Sequence, residues 1–360
     1  MQAVEQITLG VDTHRDVHVA PALDERGRLL GTCRIPSTPT GFAALASWAQ
    51  RFGEVRQVGI EGTGSYGAGL ARWLQAQGVP VLEVARPDRR ARRRRGKSDA
   101  LDAEAAARAV LAGTATAQPK TGTGPIEMLR TLRLARHSAI NARTQAANQL
   151  HALVVTAPDE LRAQLRRLSL GRLVATAAAF RCGGRPATPT AATRWALRSL
   201  ARRYQCLSAE IDTLDSQLGA LVAETAPALL ALKGVGAEIA TTLLVVAGDN
   251  PHRLHSDAAF AHLCGAAPIP ASSGKIIRYR LNRGGEREAN RALYLLALSR
   301  MRWDPRTREY VARRTAAGLT KREIVRCLKR FIARELYHVL VTIPAVRPRP
   351  PQPQQLLQVA

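Results

Sequence analysis

The sequence is poor in cysteine and in acidic residues, and it has no long apolar segment. Its 360 residues include only five cysteines, which are scattered and form no C-x-x-C pair. Neither a disulfide framework nor a zinc cluster is therefore expected. The opening residues, MQAVEQITLGVD, lack the basic and apolar regions of a signal peptide, and no apolar run reaches the ~18 residues of a membrane span. We expect a cytoplasmic protein with reduced thiols and no membrane partner.

Basic residues greatly outnumber acidic ones. Lys and Arg total 53 against 28 for Asp and Glu, which gives a formal net charge of +25. Hydrophobic residues make up 46%, which excludes a disordered polycation. Only six of the basic residues are lysine, and arginine forms bidentate phosphate contacts that lysine does not. The charge indicates a polyanionic partner, although a GC-rich coding genome would produce the same arginine surplus.

The first 115 residues alternate strand and helix patterns, as in an α/β domain. Strands are predicted at 6–11, 17–20, 29–35, 55–60 and 79–84, and helices at 36–52, 65–77 and 99–111. Residues 114–125 are polar and contain Gly and Pro, which predicts a linker.

The second region has the repeat of a coiled coil. Apolar residues recur at alternating spacings of three and four over more than three heptads: Leu197, Leu200, Tyr204, Leu207, Ile211, Leu214, Leu218 and Leu221. Residues 129–153 keep the same rhythm less regularly. The two segments could pair within one chain or between chains.

The third region is predicted to be compact and mostly helical. It opens with Lys233, Gly234 and Gly236 in the sequence LKGVG. Two helices joined by such a turn form a helix-hairpin-helix, whose glycines let backbone N–H groups approach a DNA phosphate. An ordinary helical turn is the alternative. The Pro/Gln-rich tail, 344–360, is predicted to be disordered.

Four acidic residues stand at informative positions. Asp12 and Glu61 each follow a predicted strand, and Asp99 and Asp102 share one face of a predicted helix. Singly, such residues are usually caps or solvated side chains, but clustered carboxylates need cations. Mg²⁺ is the natural occupant, and two ions ~3.5–4 Å apart would suit phosphoryl displacement. A basic run beside them would hold nucleic acid: Arg89, Arg90, Arg92, Arg93, Arg94, Arg95 and Lys97.

These motifs resemble a known family. GVDTHRDVHVA, GIEGTGSYG and KSDALDA resemble the RuvC-like, RNase H-fold domain of DEDD transposases, in the insertion-sequence family numbered one hundred and ten. Its members are bridge-RNA-guided recombinases. The stretch LCGAAPIPASSGKIIRYRLNRGGEREANRALY at 263–294 resembles the family's second hallmark, and the resemblance covers nearly the whole chain.

The resemblance implies a serine nucleophile that forms a covalent protein–DNA intermediate. The S-x-G spacing favours Ser272, with Ser273 as the alternative, and Lys275 or Arg278 could hold the phosphate. Without the resemblance, S-S-G-K is more often a loop. A phosphate-facing surface is expected for a run of five arginines, with a solvated basic helix as the alternative: Arg278, Arg280, Arg283, Arg287 and Arg291.

The resemblance also implies partners and an assembly. They are donor and target DNA, a noncoding bridge RNA, and a coiled-coil-mediated dimer or tetramer with composite active sites, associated with the bacterial nucleoid. Mg²⁺ is the implied cofactor, and Mn²⁺ is possible. Near Asp12, His14 and His18 could contact the metal site, but a surface or packing role is the favoured expectation for both.

The predicted architecture has an α/β RNase H-like (RuvC-like) domain at 1–115, a coiled-coil connector at 116–226 and a mostly helical transposase domain at 227–343. Two other functions compete with transposition. A Holliday-junction endonuclease would use the four carboxylates and water, and a coiled-coil nucleic-acid-binding protein would have no enzymatic activity.

Overall fold

A computed structural model describes residues 6–84, 98–250, 254–272, 274 and 279–343. The described residues form two compact units. The first contains 6–84, 98–126, 247–250, 254–260 and 340–343, and the second contains the others. The predicted three-domain division stays a prediction. The predicted basic run at 89–97 and the tail at 344–360 lie outside the described residues.

The first unit is built on a five-stranded sheet in the order β3-β2-β1-β4-β5. The strands are β1 (Gln6–Thr13), β2 (Val17–Leu23), β3 (Leu29–Pro36), β4 (Glu54–Glu61) and β5 (Val81–Val84). β1 is antiparallel to β2 and parallel to β4, which is parallel to β5. The helices are α1 (Pro39–Gln50), α2 (Ala68–Ala76) and α3 (Asp99–Leu111). The predicted α/β domain is confirmed, and its RNase H-like assignment stays a prediction.

Local chemistry explains where these elements begin. α1 begins after Thr38, whose hydroxyl accepts a hydrogen bond from the Gly41 amide at 3.2 Å, as N-cap residues do. α2 begins at Ala68, three residues later than predicted, because the amide of Gly67 bonds to the carbonyl of Gly62 in a preceding turn. β5 begins at Val81, because Pro80 has no N–H to give to a ladder.

The residues predicted to form a linker are attached to the first unit. The Glu83 amide donates to the Ala117 carbonyl at 2.7 Å at the edge of the sheet. The Asp249 carboxylate accepts from the Thr121 amide at 2.9 Å. Asn250 donates to the Pro119 carbonyl at 2.9 Å. These hydrogen bonds attach the predicted linker to other parts of the first unit, and whether it joins two domains stays a prediction.

The other described elements are mostly helical. The helices are α4 (Pro125–Val155), α5 (Asp159–Leu165), α6 (Leu170–Ala178), α7 (Pro189–Thr225), α8 (Pro227–Leu230), α9 (Ala237–Ala247), α10 (Asp257–Leu263), α11 (Arg287–Trp303), α12 (Pro305–Ala316) and α13 (Lys321–Leu340). Strands β6 (Ile269–Pro270) and β7 (Tyr279–Arg280) pair antiparallel. Within the described ranges, none of the helices has the length and apolar character needed to cross a bilayer.

The two segments with heptad rhythm contact each other within the chain. The Arg143 guanidinium lies 5.7 Å from the centre of the Tyr204 ring, and Leu150 packs in one buried cluster with Leu197. Residues later in α4 thus contact residues earlier in α7, so the two helices run antiparallel. All the predicted seam residues on α7 are buried or half-buried. The coiled coil and the oligomer stay predictions.

Candidate active site

The carboxyl ends of β1 and β4 meet at one edge of the sheet. Val11 and Ile60 are register partners. Asp12 comes directly after Val11 and Glu61 directly after Ile60, so both acidic residues stand at the end of this strand pair. The Thr13 hydroxyl donates to the backbone carbonyl of Glu61 at 2.8 Å. This bond ties the two strand ends together beside the predicted acidic residues.

Helix α3 brings two more carboxylates to this edge. Its N-cap is Ser98, whose hydroxyl accepts from the Leu101 amide at 3.3 Å. Asp99 and Asp102 lie in the first turn, where the positive end of the helix dipole stabilises negative charge. The helix packs directly on β1, because a Cβ at Gly10 would lie 2.1 Å from the Ala103 carbonyl oxygen.

His14 lies between two of the predicted carboxylates. Its Nε2 atom is 3.3 Å from an Asp12 oxygen and 3.3 Å from an Asp99 oxygen. This position agrees with the alternative expectation, contact with the acidic site, and the spacing D-x-H at a strand end is the sequence signal for it. For His18 the packing role is confirmed, because its ring is buried and stacks on Phe42 with centroids 6.0 Å apart.

The electrostatics of the site are unfavourable to negative charge. Burial raises the pKa of Asp12, and the nearby carboxylates of Asp99 and Asp102 raise it further, while His14 opposes them. Asp102 is itself buried at 8% exposure. A cation bound here would offset both the burial and the repulsion between like charges.

The donor set fits a divalent cation. Among the described residues, ligand atoms of Asp12, His14 and Asp99 lie within 4.8 Å of one another. Carboxylate oxygens suit Mg²⁺ and Mn²⁺, and imidazole nitrogen suits softer transition metals. Asp102 lies close enough to raise the pKa of Asp12, and Glu61 follows the neighbouring strand. The structure thus groups two of the four predicted ligands, Asp12 and Asp99, with His14.

The favoured serine lies in the other unit, on the turn between β6 and β7. Ser272 is exposed, and Gly274 has a φ of 57°, a conformation that glycine adopts readily. Arg280 and Arg283 are also exposed. The alternative nucleophile Ser273 and the predicted phosphate-binding residues Lys275 and Arg278 lie outside the described residues.

The predicted helix-hairpin-helix turn lies between α8 and α9. Gly234 has a φ of 82°, and a Cβ there would come 2.9 Å from a methyl group of Leu296, whereas a Cβ on Gly236 would meet nothing within 4 Å. The Lys233 ammonium pairs with Asp304 at 3.1 Å. Gly234 therefore serves packing, and Gly236 is the open position of the turn. DNA binding by this turn stays a prediction.

Comparison with known proteins places both regions in one group. Residues 9–157 match a family model described as a transposase and named for the DEDD transposases of IS110. Residues 226–312 match one described as "Transposase IS116/IS110/IS902 family".

Two curated proteins are similar to part of the chain. One is the uncharacterized 43.6 kDa protein of insertion element IS110 from Streptomyces coelicolor, 35% identical over 125 residues, which cover 34% of this chain and 31% of that protein. The other is the uncharacterized 42 kDa protein of insertion element IS900 from Mycobacterium paratuberculosis, 30% identical over 134 residues, or 34% of each chain. The chain thus matches about a third of the length of these relatives.

Proposed function

Because the chain belongs to the IS110 family of transposases, we propose that it acts as the transposase of an insertion sequence and cuts and rejoins DNA strands. The observation that carries this proposal is the position of Asp12, His14 and Asp99 around one point, with ligand atoms within 4.8 Å of one another. Asp102 and Glu61 lie at the same edge of the sheet. Such a site suits phosphoryl transfer, in which catalysis is mainly positioning and charge stabilisation.

In this proposal Asp12, Glu61, Asp99 and Asp102 would hold Mg²⁺. A bound divalent ion would polarise the scissile phosphate and stabilise the leaving oxygen. The chain itself fixes the ligands: Ser98 caps the helix that carries two of them, and the Thr13 hydrogen bond holds the end of β4. Before the ion binds, His14 would orient the carboxylates of Asp12 and Asp99 through its Nε2 atom, which lies 3.3 Å from each.

Ser272 is the proposed nucleophile. Its oxygen would form a bond to phosphorus, the bond from phosphorus to one sugar oxygen would break, and the hydroxyl proton would pass to solvent or to a nearby base. The exposure of Ser272 and the turn conformation of Gly274 support this role, since a DNA strand can reach the residue. A homo-oligomer would let the serine of one subunit serve the carboxylates of another.

Recognition of the DNA sequence by base pairing with a bridge RNA is part of the proposal. If the RNA reads the DNA sequence, the protein needs only to hold the backbones of both nucleic acids. The net charge of +25 supports this division of roles, because backbone contacts are made by cations and not by base-specific side chains. Donor DNA, target DNA and the RNA would be the partners.

The test uses the full-length protein with Mg²⁺, a supercoiled plasmid that carries the element's ends, and RNA transcribed from the flanking DNA. Wild-type protein is expected to give strand cleavage and a covalent protein–DNA adduct that survives denaturation. Asp12→Asn should abolish both products. Ser272→Ala should abolish the adduct. Ser273→Ala, at the adjacent serine, is the matched control.

Each other outcome decides against part of the proposal. Cleavage without an adduct, unchanged in a Ser272→Ala/Ser273→Ala double variant, would show a water-using endonuclease instead. Full activity of Asp12→Asn would show that the carboxylates do not act. Equal activity with and without the transcribed RNA would overturn guidance.

A further inference from the structure

We propose that a basic cleft in the second unit, at the base of the hairpin that carries Ser272, binds one nucleotide of single-stranded nucleic acid. The cleft has a volume of about 770 Å³, within the ~300–1,000 Å³ typical of sites for small ligands. The inference rests on the proposed function, since it takes nucleic acid as the substrate, and it adds a site on helix α13. That helix lies beyond residues 226–312, which match the second family model.

The walls of the cleft carry positive charge without negative charge. Five lining residues are basic, and none of the described lining residues is acidic: the basic ones are Arg283, Arg287, Arg326, Lys329 and Arg330. Several cations around one concave surface attract a phosphate and repel a cationic ligand. Burial and the neighbouring Arg326 lower the pKa of Lys329, and an anion in the cleft would oppose both effects.

One half-buried cation of this wall, Lys329, is held in place by a neighbouring amide. The Lys329 ammonium donates to Asn290 Oδ1 at 2.9 Å. The Nδ2 of Asn290 donates to the carbonyls of Cys264 at 2.8 Å and Gly265 at 3.0 Å. The Asn290 side chain therefore joins α11, α13 and the turn after α10. A charge fixed in this way needs little ordering when it meets a phosphate.

The other part of the cleft is apolar and open. Its lining includes Pro268, Leu281 and Phe331. Leu281 is 53% exposed and Phe331 is 54% exposed, with the Phe331 ring set edge-on to Tyr310 at 5.7 Å between centroids. An exposed aromatic ring beside cations is the arrangement that proteins use to stack an unpaired base while binding its phosphate. A base within a duplex is already stacked and would not enter.

The position of the cleft relates it to the proposed nucleophile. Pro268 comes directly before β6, and Leu281 comes directly after β7. The two residues therefore form the base of the hairpin whose turn contains Ser272. A nucleotide held in the cleft would anchor its strand next to this hairpin.

Binding measurements with full-length protein test the cleft. The probes are fluorescein-labelled single strands of about 12 nucleotides, a length suited to such sites, as DNA and as RNA, together with the duplex DNA. The double variant Arg326→Gln/Lys329→Gln should bind both single strands at least tenfold more weakly. Its plot of log affinity against log salt should be less steep by about 1.4, since each single-strand phosphate contact contributes about 0.7.

Two further variants separate stacking from charge. Phe331→Ala should weaken single-strand binding about fivefold or more, the lower end of what one base stack contributes, with a smaller effect on duplex. Arg322→Gln is the matched control, because Arg322 is exposed on the same helix and does not line the cleft. It should leave the affinity within twofold of wild type.

The outcomes distinguish this proposal from the proposed function. An equal loss of single-strand affinity in the double variant and in Arg322→Gln, or no loss in either, would overturn the proposed binding site. Cleavage by wild-type protein would not be affected by that result. Wild-type protein that neither binds nor cuts nucleic acid would instead overturn the function. Photo-crosslinking of a single strand that contains 5-iodouracil uses wild-type protein, so its result does not depend on whether a variant folds. A crosslink at Phe331 supports the site, and crosslinks confined to other regions reject it.

Discussion

Gly10 and Gly59 are register partners on the parallel strands β1 and β4, and both lie beneath helix α3. A Cβ on Gly10 would lie 2.1 Å from the Ala103 carbonyl oxygen, and one on Gly59 would lie 2.9 Å from that of Ala106. Two paired positions without side chains therefore let the helix backbone rest on the sheet. Each glycine is two residues before an acidic residue of the site, so the packing sets the distance between the helix and both strand ends.

Adding a methyl group at Gly10 should push α3 away from the sheet. We expect Gly10→Ala to lower the free energy of unfolding by about 1–3 kcal/mol, as overpacking does, and to weaken binding of Mn²⁺ because Asp99 moves from Asp12. Urea unfolding and Mn²⁺ titration would measure the two effects.

The matched control is Gly219→Ala, within α7. A Cβ there would meet nothing within 4 Å, and alanine favours helix by about 0.5–1 kcal/mol. This variant should be as stable as wild type or more so. A Gly10→Ala protein with unchanged stability and Mn²⁺ affinity would show that the close contact does not position the site.

The charge on Asp12 should reduce stability when no metal is bound. Because burial and the carboxylates of Asp99 and Asp102 raise the pKa of Asp12, its ionised form is disfavoured in the folded protein. At pH 7 in a chelator, Asp12→Asn should melt at a higher temperature than wild type, by a few degrees for about 1 kcal/mol.

Added Mg²⁺ or Mn²⁺ should reverse that order. Wild-type protein gains stability by binding the ion in its folded state, whereas Asp12→Asn lacks a ligand and should gain little. Differential scanning fluorimetry with and without the ion measures both. An equal rise in melting temperature for the two proteins would place the cation elsewhere.

Local sequence patterns predicted the strands and helices of the first unit well, but they did not predict contacts between residues distant in sequence. Helix α3 begins and ends where predicted, because Ser98 caps it and its buried face is rich in alanine. The close approach at Gly59 and the contact between His14 and Asp99 depend on residues distant in sequence, which no local pattern reports. The inclusion of residues 247–250 and 254–260 in the first unit also depends on long-range contacts, since the carboxylate of Asp249 accepts from the amides of Thr121 and Thr123.

The two glycines of the predicted helix-hairpin-helix should behave differently. Gly234→Ala should destabilise the protein by about 1–2 kcal/mol, because a left-handed backbone strains other residues and because Leu296 and Ser299 lie close. Gly236→Ala should keep the fold and weaken duplex DNA binding, if the turn binds phosphate. Thermal unfolding and fluorescence anisotropy separate the effects, and unchanged DNA affinity in a folded Gly236→Ala would show an ordinary helical turn.

Asp249 should stabilise the first unit in a pH-dependent way. Burial raises its pKa, but hydrogen bonds from Thr121 and Thr123 outweigh burial and leave the pKa below its usual range. The stabilisation is therefore present above the unfolded pKa of about 3.9 and is lost as the pH falls through the folded value.

Asp249→Asn measures this contribution. At pH 7 it should cost about 1–3 kcal/mol, as expected for hydrogen bonds to a charged group, and hydrogen exchange should speed up at the amides of Thr121 and Thr123. The difference from wild type should persist down to about pH 4 and shrink as the pH falls further, through the folded pKa of Asp249. A difference that does not change with pH would mean that the carboxylate charge is not the cause.

The cap at Ser98 also bears on how the chain can vary. Val84 is fixed by its pairing with Glu61 in the sheet, and Ser98 is fixed by hydrogen bonds to Leu101 and Asp102. The stretch between them, which contains the basic run, therefore joins two anchored points. Because amides of α3 itself hold Ser98, the start of the helix and Asp99 depend on contacts made within the helix. If the basic run binds nucleic acid as predicted, those contacts can diverge between related elements while the acidic site is retained.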